Sequence, residues 1–470
     1  MEPMMTLAEV LHWLPQGVPV GNMHTPVQRV HSDTRTLQSG DLFVALRGEQ
    51  HDGNQYLAQA HRAGAAAALC ESGSGLAQTA MPGIEVPDSR IALGLLAQQW
   101  REQFRLPLIA VTGSNGKTTV TQMLAAILTA WKPQTMLATQ GNLNNDIGVP
   151  LTLLRLRARH EIAVVELGMN HPGEIAHLAA MAQPTVALVN NAQREHLEFM
   201  QTVEAVAREN GAVVSALGPQ GVAVFPHDDP YAGLWQRLAQ GRPCRTFAVS
   251  AQADAQVCCE AATWLGDHWQ VSARTPDGAL RFALRAPGTH NVHNALAALT
   301  CASAANIPMA AIRLGLESFA PVKGRSRVLS IQIGNTMVTL IDDSYNANPD
   351  SVAAALRLLA SQPAPRLMVL GDMAEVGQQS EMLHAQAGSL AHELGIELLF
   401  THGRLSAAAS RQSPHARHFD DMPALIAAVL QELSTTASVL VKGSRFMRME
   451  RVVEAVTSAS QSQCEESHAA

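Results

Sequence analysis

Residues 109–124 read IAVTGSNGKTTVTQML, in which an apolar run ends at Thr112 and a polar turn leads into a helical pattern. A strand, a glycine-containing turn and Lys-Thr at the start of a helix are the context of a phosphate-binding loop. The common form of that loop has a glycine where this chain has Val111. Phosphate is held by backbone N–H groups at a helix N-terminus, and these groups do not require every glycine. The stretch therefore predicts a nucleotide site, with a well-packed turn as the alternative.

Within this loop the sequence assigns separate roles to the lysine and to the threonine that follows it. Lys117 would reach the terminal phosphates of the nucleotide, and the hydroxyl of Thr118 would reach a magnesium ion. The predicted nucleotide-binding positions are Gly113, Ser114, Asn115, Gly116, Lys117, Thr118 and Thr119.

The pattern of strands and helices predicts an α/β protein of three domains, because 470 residues are too many for one hydrophobic core. A small α/β domain is expected at 1–106, a central parallel-sheet domain that carries the phosphate loop at 107–319, and a Rossmann-like domain at 320–470. Residues 242–285 read as a small antiparallel insertion in the central domain. A linker is expected at residues 320–325.

Composition and charge exclude several classes of protein. The net charge is −7 and the basic residues are scattered, which argues against a nucleic-acid partner. Six cysteines without a C-x-x-C pair indicate a reducing compartment, and we expect a cytoplasmic protein. No apolar run is long enough to span a membrane, and the first residues lack the pattern of a secretory signal.

Two further residues are candidate metal ligands. Glu166 ends the apolar run IAVVE, and His196 follows the next predicted strand. The carboxyl ends of parallel strands meet at one edge of a sheet, so both residues should emerge beside the loop. Glu166 could instead cap the following turn, and a single histidine is more often structural. The asparagines of TQGNLNND (139–146) read equally well as a turn or as substrate contacts.

Polar segments later in the chain suggest the remainder of the site. The segment GTHNVHNALAA (288–298) starts a helix, and its polar residues are more typical of caps than of an adenine site. Three polar loops, 341–351, 371–377 and 442–445, each follow a predicted strand. Together they predict one wall of a crevice, which the linker would allow to close over the nucleotide.

These motifs together resemble the Mur ligases, ATP-dependent amide-forming enzymes of peptidoglycan precursor synthesis, over nearly the whole chain. The shared pieces are TGSNGKTT, TQGNLNND, Glu166, His196 followed by Leu-Glu, and GTHNVHNALAA. Within the family, DDSYNANPDS, GDMAEVG and KGSRFMRME are similar to the branch that adds D-alanyl-D-alanine to UDP-N-acetylmuramoyl-tripeptide. SDTR (32–35) with GDLFVALRG (40–48) looks like that branch's uridine-nucleotide domain, and no DNPR-type motif of the diaminopimelate-adding sibling is present.

The resemblance implies an ATP- and Mg²⁺-dependent ligase that forms an acyl phosphate, and we expect a monomer. It implies catalytic roles for Lys117, Glu166, His196 and Arg325, and metal contacts from Thr118, Glu166 and His196. To the ATP-binding loop residues it adds Asn294 near the adenine, Arg325 near the phosphates, and Asp343 near the ribose or the hinge. Its implied substrate contacts are Ser32, Thr34, Arg35, Thr139, Asn142, Asn145, Tyr345 and Asn346. His384 is a candidate base for the incoming amine.

One departure from the family concerns the metal site. Other members carry a lysine after the His-Leu-Glu stretch that becomes carbamylated and helps to hold a second magnesium ion, whereas this chain has Asn210 at or next to that position. Either Asn210 serves as a neutral ligand, or a water or another acid completes the site. The third residue of the peptide, diaminopimelate or lysine, also stays open.

Two rival functions follow from the same motifs. A sister ligase such as a folylpolyglutamate synthase would share the loop and metal residues but lack SDTR and DDSYNANP. A nucleotide-operated switch would hydrolyse ATP without joining two substrates.

Overall fold

The computed structural model describes residues 3–334 and 336–468, with side chains as far as residue 460. Its strands form four sheets distributed over three domains, which confirms the predicted α/β fold class. The predicted domain limits fall in connections, since the central sheet begins at Leu108 and the first strand of the third domain begins at Arg327. In this part of the chain no helix is both long and apolar enough to cross a membrane.

The first domain is built on a five-stranded sheet in the order β2-β7-β6-β5-β4, with β4 to β7 parallel and β2 antiparallel at one edge. A two-stranded sheet, β1 with β3, lies beside it. The strands are β1 Met5–Thr6, β2 Val18–Val20, β3 Pro26–Val27, β4 Arg29–His31, β5 Asp41–Val44, β6 Ala67–Glu71 and β7 Gly83–Val86. The helices are α1 Leu7–Trp13, α2 Leu57–Arg62 and α3 Ser89–Glu102.

The central domain contains a nine-stranded sheet in the order β16-β15-β14-β13-β12-β11-β8-β10-β9. Its strands are β8 Leu108–Thr112, β9 Met136–Ala138, β10 Ile162–Glu166, β11 Val186–Val189, β12 Val222–Pro226, β13 Cys244–Ala248, β14 Val257–Trp264, β15 Trp269–Thr275 and β16 Gly278–Leu284. Its helices are α4 Lys117–Trp131, α5 Gly148–Leu153, α6 Glu174–Ala182, α7 Leu197–Met200, α8 Val203–Ser215, α9 Ala232–Leu238, α10 Thr289–Ala304 and α11 Met309–Ser318.

The expected antiparallel insertion at 242–285 is wrong in part. Strand β13 pairs in parallel with β12, and β14 pairs in parallel with β13, so the antiparallel pairs are limited to β14 with β15 and β15 with β16. All four strands extend the central sheet instead of forming a separate unit. The turn residues of this segment could not distinguish the two arrangements. Short connections occur within extended sheets as well as between small antiparallel strands.

The third domain has a six-stranded sheet in the order β17-β18-β22-β19-β20-β21, parallel except for the antiparallel edge strand β17. The strands are β17 Arg327–Ile333, β18 Thr336–Asp343, β19 Arg366–Gly371, β20 Leu398–His402, β21 Ala416–Phe419 and β22 Ser438–Lys442. The helices are α12 Pro349–Ala360, α13 Ser380–Glu393, α14 Ala407–Ser410, α15 Met422–Glu432 and α16 Glu450–His468.

Strand β8 lies at the centre of the structure that carries the phosphate loop. All five of its residues are buried, as expected for a parallel strand covered on both faces. Its neighbours are β10 and β11, and Val111 is in register with Glu166 on one side and Leu188 on the other. The position where the common loop has glycine is therefore still inside the strand. The same register brings the carboxylate of Glu166 to the edge where the loop begins.

Helix α4, which starts at the phosphate loop, packs closely against α11. A Cβ atom on Gly315 of α11 would lie 2.3 Å from the Cα atom of Ile127. We expect Gly315→Ala to lower the free energy of unfolding by about 1–3 kcal/mol, because the two helices must separate. Urea unfolding would measure this change.

Gly218→Ala is the matched control, since a Cβ atom there would meet nothing within 4 Å. We expect this control to stay within about 0.5 kcal/mol of the parent protein. Equal stability of the two variants would contradict the close packing of α4 on α11.

Candidate active site

One large cavity lies where loops of the three domains meet, with a volume of about 2100 Å³. Pockets for one small molecule are usually about 300–1,000 Å³, so this cavity has room for more than one substrate. Glu49 and Arg90 of the first domain reach it. The sequence-predicted residues that line it are Ser114, Asn115, Gly116, Lys117, Thr118, Thr119, Asn142, Asn145, Glu166, His196, Asn294, Arg325, Asp343, Tyr345 and Asn346.

Two glycines of the phosphate loop, residues 113–119, are required by close packing. Gly113 has φ +129° and Gly116 has φ +82°. A Cβ atom on Gly116 would lie 2.3 Å from Oδ1 of Asn294. Asn190 donates from Nδ2 to that same oxygen at 3.0 Å and to the carbonyl of Asn115 at 2.8 Å. Asn294 therefore supports the loop, and the preference for a helix cap was wrong, since α10 begins after Gly288 without a side-chain cap.

The amino group of Lys117 is folded back over its own loop. It donates to the carbonyl of Gly113 at 2.5 Å and to that of Ser114 at 3.3 Å. It also lies 3.2 Å from Oε2 of Glu195, in a pair whose side chains are 16% and 6% exposed. The first N–H groups of helix α4 have no carbonyl partner within the helix, as at every helix start. The ammonium of Lys117 and the free N–H groups of α4 therefore lie together at the start of the helix, an arrangement that suits a phosphate.

Glu166 offers a carboxylate oxygen to the cavity. Its Oε1 accepts hydrogen bonds from the hydroxyl of Thr118 at 2.9 Å and from Nδ2 of Asn144 at 2.8 Å. Its Oε2 is buried without a hydrogen-bond partner, although the residue is only 1% exposed. A buried carboxylate oxygen without a donor is costly unless a ligand supplies a positive charge. The hydroxyl of Thr139 accepts the backbone N–H of Glu166 at 3.0 Å. Thr139 therefore helps to position Glu166.

These donors fit a magnesium ion. Among the residues that the structure describes, no three His, Cys, Asp or Glu side chains come together as a metal cluster. Magnesium is usually bound by one or two carboxylates together with substrate phosphates and waters, so it does not need such a cluster. The free oxygen of Glu166 and the hydroxyl of Thr118 are the protein groups that would hold it.

His196 connects the central domain to the third. It has φ +48° and precedes helix α7. Its Nδ1 is hydrogen-bonded to Oε2 of Glu375, and this bond lowers the pKa of the Glu375 carboxyl. Its Nε2 lies 3.8 Å from Oε2 of Glu195. One ring nitrogen is therefore fixed by a carboxylate, and the other faces the phosphate loop.

The third domain touches the phosphate loop directly. Asn115 and Asn348 exchange amide hydrogen bonds of 3.2 and 2.9 Å. Beside them Arg194 forms an ion pair with Asp350, with Nη2 at 2.7 Å from Oδ1. Sequence reasoning missed Asn348, Asp350 and Glu375, which lie within quoted motifs but received no role. It missed Arg194 as well, because nothing local predicts a partner more than a hundred residues away.

Asp343 ends strand β18 beside the connection between the central and third domains. Its Oδ2 lies 2.6 Å from Nζ of Lys442, and its Oδ1 accepts the N–H of Ser326 at 2.9 Å. Burial raises the pKa of Asp343, but Lys442, together with His290 and the N–H of Ser326, outweighs burial and the pKa is lowered overall. The guanidinium of Arg325 lies 4.3 Å from the ring centroid of Tyr345, in cation–π contact. Asp343 lines the cavity and also contacts Ser326 in the connection between the central and third domains.

Several predicted residues lie elsewhere. Ser32, Thr34 and Arg35 are outside the cavity, and Arg35 pairs with Asp33 on the surface with 83% of its side chain exposed. Asn145 lines the cavity but uses Oδ1 to accept the N–H of Gly148 at 2.9 Å, so here it acts as a turn residue.

The burial and hydrogen bonds of His384 exclude it as a candidate base for the incoming amine. It is fully buried, and its Nε2 accepts the N–H of Met373 at 2.8 Å. Its Nδ1 is bonded to the carbonyl of Ser380 at 2.6 Å. Burial lowers the pKa of this imidazole, which therefore stays neutral and structural.

Asn210 is buried behind the loop. Its Oδ1 accepts the N–H of Gly113 at 3.0 Å, and its Nδ2 lies 3.5 Å from Oε1 of Glu195. The amide oxygen is therefore occupied by the loop backbone and does not point to a metal position. Glu195 is a further cavity residue that sequence reasoning missed.

Comparison with known proteins agrees with this fold and site. Residues 26–101, 111–302 and 324–445 match the families described as "Mur ligase family, catalytic domain", "Mur ligase middle domain" and "Mur ligase, glutamate ligase domain". The UDP-N-acetylmuramoyl-tripeptide–D-alanyl-D-alanine ligase of Escherichia coli (strain K12) is 38% identical over 452 residues, which cover 96% of this chain and 97% of that protein. The chain belongs to the Mur ligase family.

Solved structures extend the comparison. A crystal structure of MurF from Acinetobacter baumannii superposes with a TM-score of 0.89 and 33% identity, covering 97% of this chain and 99% of that one. MurF from Thermotoga maritima in complex with ADP has a TM-score of 0.80 and 26% identity, covering 93% and 98%. A folylpolyglutamate synthase from Mycobacterium tuberculosis has a TM-score of 0.61 at 15% identity and shares the fold alone.

The pair of Arg194 and Asp350 should hold the third domain against the phosphate loop. Both side chains are partly exposed, at 36% and 26%, so we expect a modest contribution of about 1 kcal/mol. Arg194→Ala should raise the ratio of open to closed molecules about fivefold. Energy transfer between dyes on the central and third domains would measure this ratio.

Arg208→Ala is the matched control, because Arg208 pairs with Glu204 on the exposed surface of one helix. The double variant Arg194→Ala with Asp350→Ala should be no more open than either single variant. If Arg194→Ala and the control give the same energy transfer as the parent, the pair does not hold the domains together.

Proposed function

We propose that this protein is an ATP-dependent ligase that joins D-alanyl-D-alanine to the terminal carboxylate of UDP-N-acetylmuramoyl-tripeptide, with release of ADP and phosphate. The observation that carries the proposal is the convergence of three kinds of group on one cavity. These are the phosphate loop with Lys117, the free carboxylate oxygen of Glu166, and the polar loops of the third domain. The names of the relatives, which match over nearly the whole chain, specify the same two substrates.

The first chemical step is activation of a carboxylate. An oxygen of the tripeptide carboxylate attacks the γ-phosphorus of ATP, the bond to the bridging oxygen breaks, and ADP leaves. The products of this step are an acyl phosphate and ADP. Lys117 and the N–H groups at the start of α4 stabilise the charge on the phosphate oxygens, which is the main catalytic device in phosphoryl transfer. A magnesium ion held by Glu166 and Thr118 supplies further positive charge when bound.

The second step forms the amide. The amine of D-alanyl-D-alanine attacks the acyl carbon, phosphate leaves, and the amine loses a proton. Water would hydrolyse the acyl phosphate, so the third domain must cover the loop during this step. Its contacts at Asn115 and Arg194 are in the right place to do so. Tyr345 and Asn346, which line the cavity from that domain, are the proposed contacts of the dipeptide.

The uridine end of the substrate is proposed to lie on the first domain. Ser32, Thr34 and Arg35 lie outside the cavity, whereas Arg90 of the same domain reaches it. A long substrate could therefore extend from the exposed Asp33–Arg35 turn into the cavity. We further propose that the protein acts as a monomer in the cytoplasm, where both substrates and ATP would be present.

Release of ADP in the presence of each substrate tests this proposal. We expect ADP only when ATP, Mg²⁺, UDP-N-acetylmuramoyl-tripeptide and D-alanyl-D-alanine are all present, together with a pentapeptide product by mass. Lys117→Ala should reduce the rate by at least about 10²-fold, because it removes a cation from the transferred phosphate. Lys132→Ala is the matched control at the other end of α4 and should keep the parent rate.

Two results would contradict the proposal. Equal ADP release without either acceptor would favour a nucleotide-operated switch. No turnover with both substrates, but turnover with a folate and glutamate, would favour the sister ligase.

A further inference from the structure

Arg445 lines the cavity from the third domain, but the two proposed chemical steps assign it no role. Its guanidinium carbon lies 5.7 Å from the ring centroid of Tyr345, and that of Arg325 lies 4.3 Å from the same centroid. The backbone of Tyr345 is held in turn, because its N–H donates to the carbonyl of Gly324 at 3.1 Å. Two cations therefore share one aromatic ring at this end of the cavity.

The wall around Tyr345 carries more positive charge than its carboxylates neutralise. Lys442 is paired with Asp343, and Nη1 of Arg445 lies 2.9 Å from Oε1 of Glu450. Within the part of the chain that the structure describes, no carboxylate forms an ion pair with Arg325. An excess of positive charge in a cleft attracts a negatively charged substrate group.

The guanidinium of Arg445 has donors left for such a group. Its side chain is 62% exposed, and its recorded hydrogen bond uses Nη1 alone, whereas a guanidinium carries five N–H donors. These donors form a planar fork that matches the two oxygens of a carboxylate. The next residue, Phe446, is also 62% exposed and lines the same cavity, so an apolar surface lies beside the fork.

The position of Arg445 relative to the phosphate loop suits a short acceptor. The hydroxyl of Ser444 donates to the carbonyl of Ala347 at 3.2 Å, and Ala347 directly precedes Asn348. Asn348 exchanges amide hydrogen bonds with Asn115 of the phosphate loop. A dipeptide in extended form spans about 7 Å, so its two ends fit between the phosphate loop and Arg445.

We propose that Arg445 binds the terminal carboxylate of D-alanyl-D-alanine and thereby selects an acceptor that ends in a free carboxylate. The inference rests on the proposed function and adds a specificity-determining residue to it. Tyr345 positions the guanidinium through its ring, and Phe446 contacts the methyl groups of the dipeptide. With the carboxylate held at Arg445, the amine at the other end of the dipeptide lies towards the acyl phosphate.

A comparison of D-alanyl-D-alanine with D-alanyl-D-alaninamide tests the inference, because the amide lacks the negative charge and keeps the shape. We expect the parent protein to prefer the acid by about 10- to 100-fold in kcat/KM, as expected for a hydrogen bond between charged groups. Arg445→Ala should raise the KM for the acid by that factor, leave kcat within about threefold, and leave kcat/KM for the amide unchanged. Arg445→Lys should recover part of the preference, because the ammonium keeps the charge without the planar fork.

Arg451→Ala is the matched control, because Arg451 is exposed on α16 and is not among the residues that line the cavity. Its preference for the acid should equal that of the parent. If Arg445→Ala raises the KM for the acid and for the amide by the same factor, Arg445 only supports the wall and the inference is wrong. Loss of the preference in Arg357→Ala instead, at another exposed cavity arginine of the third domain, would also overturn it.

The same experiment separates this inference from the proposed function. If the parent protein forms no pentapeptide from D-alanyl-D-alanine, the proposed function fails. If the parent forms the pentapeptide and Arg445→Ala keeps the full preference for the acid, the assignment of Arg445 fails and the ligase proposal stands.

Discussion

The site depends on the register of the central strand β8 with its two parallel neighbours. Val111 lies opposite Glu166 on one side and Leu188 on the other, so the ends of all three strands reach one edge together. The phosphate loop leaves β8 at that edge, and Glu166 ends β10 there. A shift of one residue in this pairing would turn each side chain to the opposite face of the sheet. The buried, tightly paired strand thus fixes both the loop and its carboxylate.

The loop itself is held by amide side chains from elements that lie far away in the sequence. Asn210 accepts the N–H of Gly113, and Asn191 accepts that of Asn115 at 2.9 Å. Asn190 and Asn294 pack against the side of Gly116 where a Cβ atom would lie. Neutral amides can satisfy backbone groups without competing with phosphate for the ammonium of Lys117. Without a nucleotide, the ammonium of that lysine is paired with Glu195.

Sequence alone predicted the parts of the site that are encoded locally. The phosphate loop and Glu166 were recognisable because their chemistry lies within a few residues of a strand end. Glu195, Glu375 and Asp350 were not, because each acquires its role only from a partner in another element. His384 was misjudged for the same reason, since both of its ring nitrogens are bonded to backbone groups that folding brings to it. The parallel pairing of β13 likewise depends on its register with a strand from another part of the chain, which the local residue pattern does not specify.

The central claim is that this cavity converts a carboxylate into an acyl phosphate before an amide forms. The most direct measurement uses UDP-N-acetylmuramoyl-tripeptide labelled with ¹⁸O in its terminal carboxylate, with ATP and D-alanyl-D-alanine, and analyses the released phosphate by mass. The account predicts that one ¹⁸O atom moves from each carboxylate to phosphate, because the attacking oxygen stays on phosphorus when the amine displaces it. Unlabelled phosphate formed together with the amide product would contradict the account, since the carboxylate would then never have been phosphorylated.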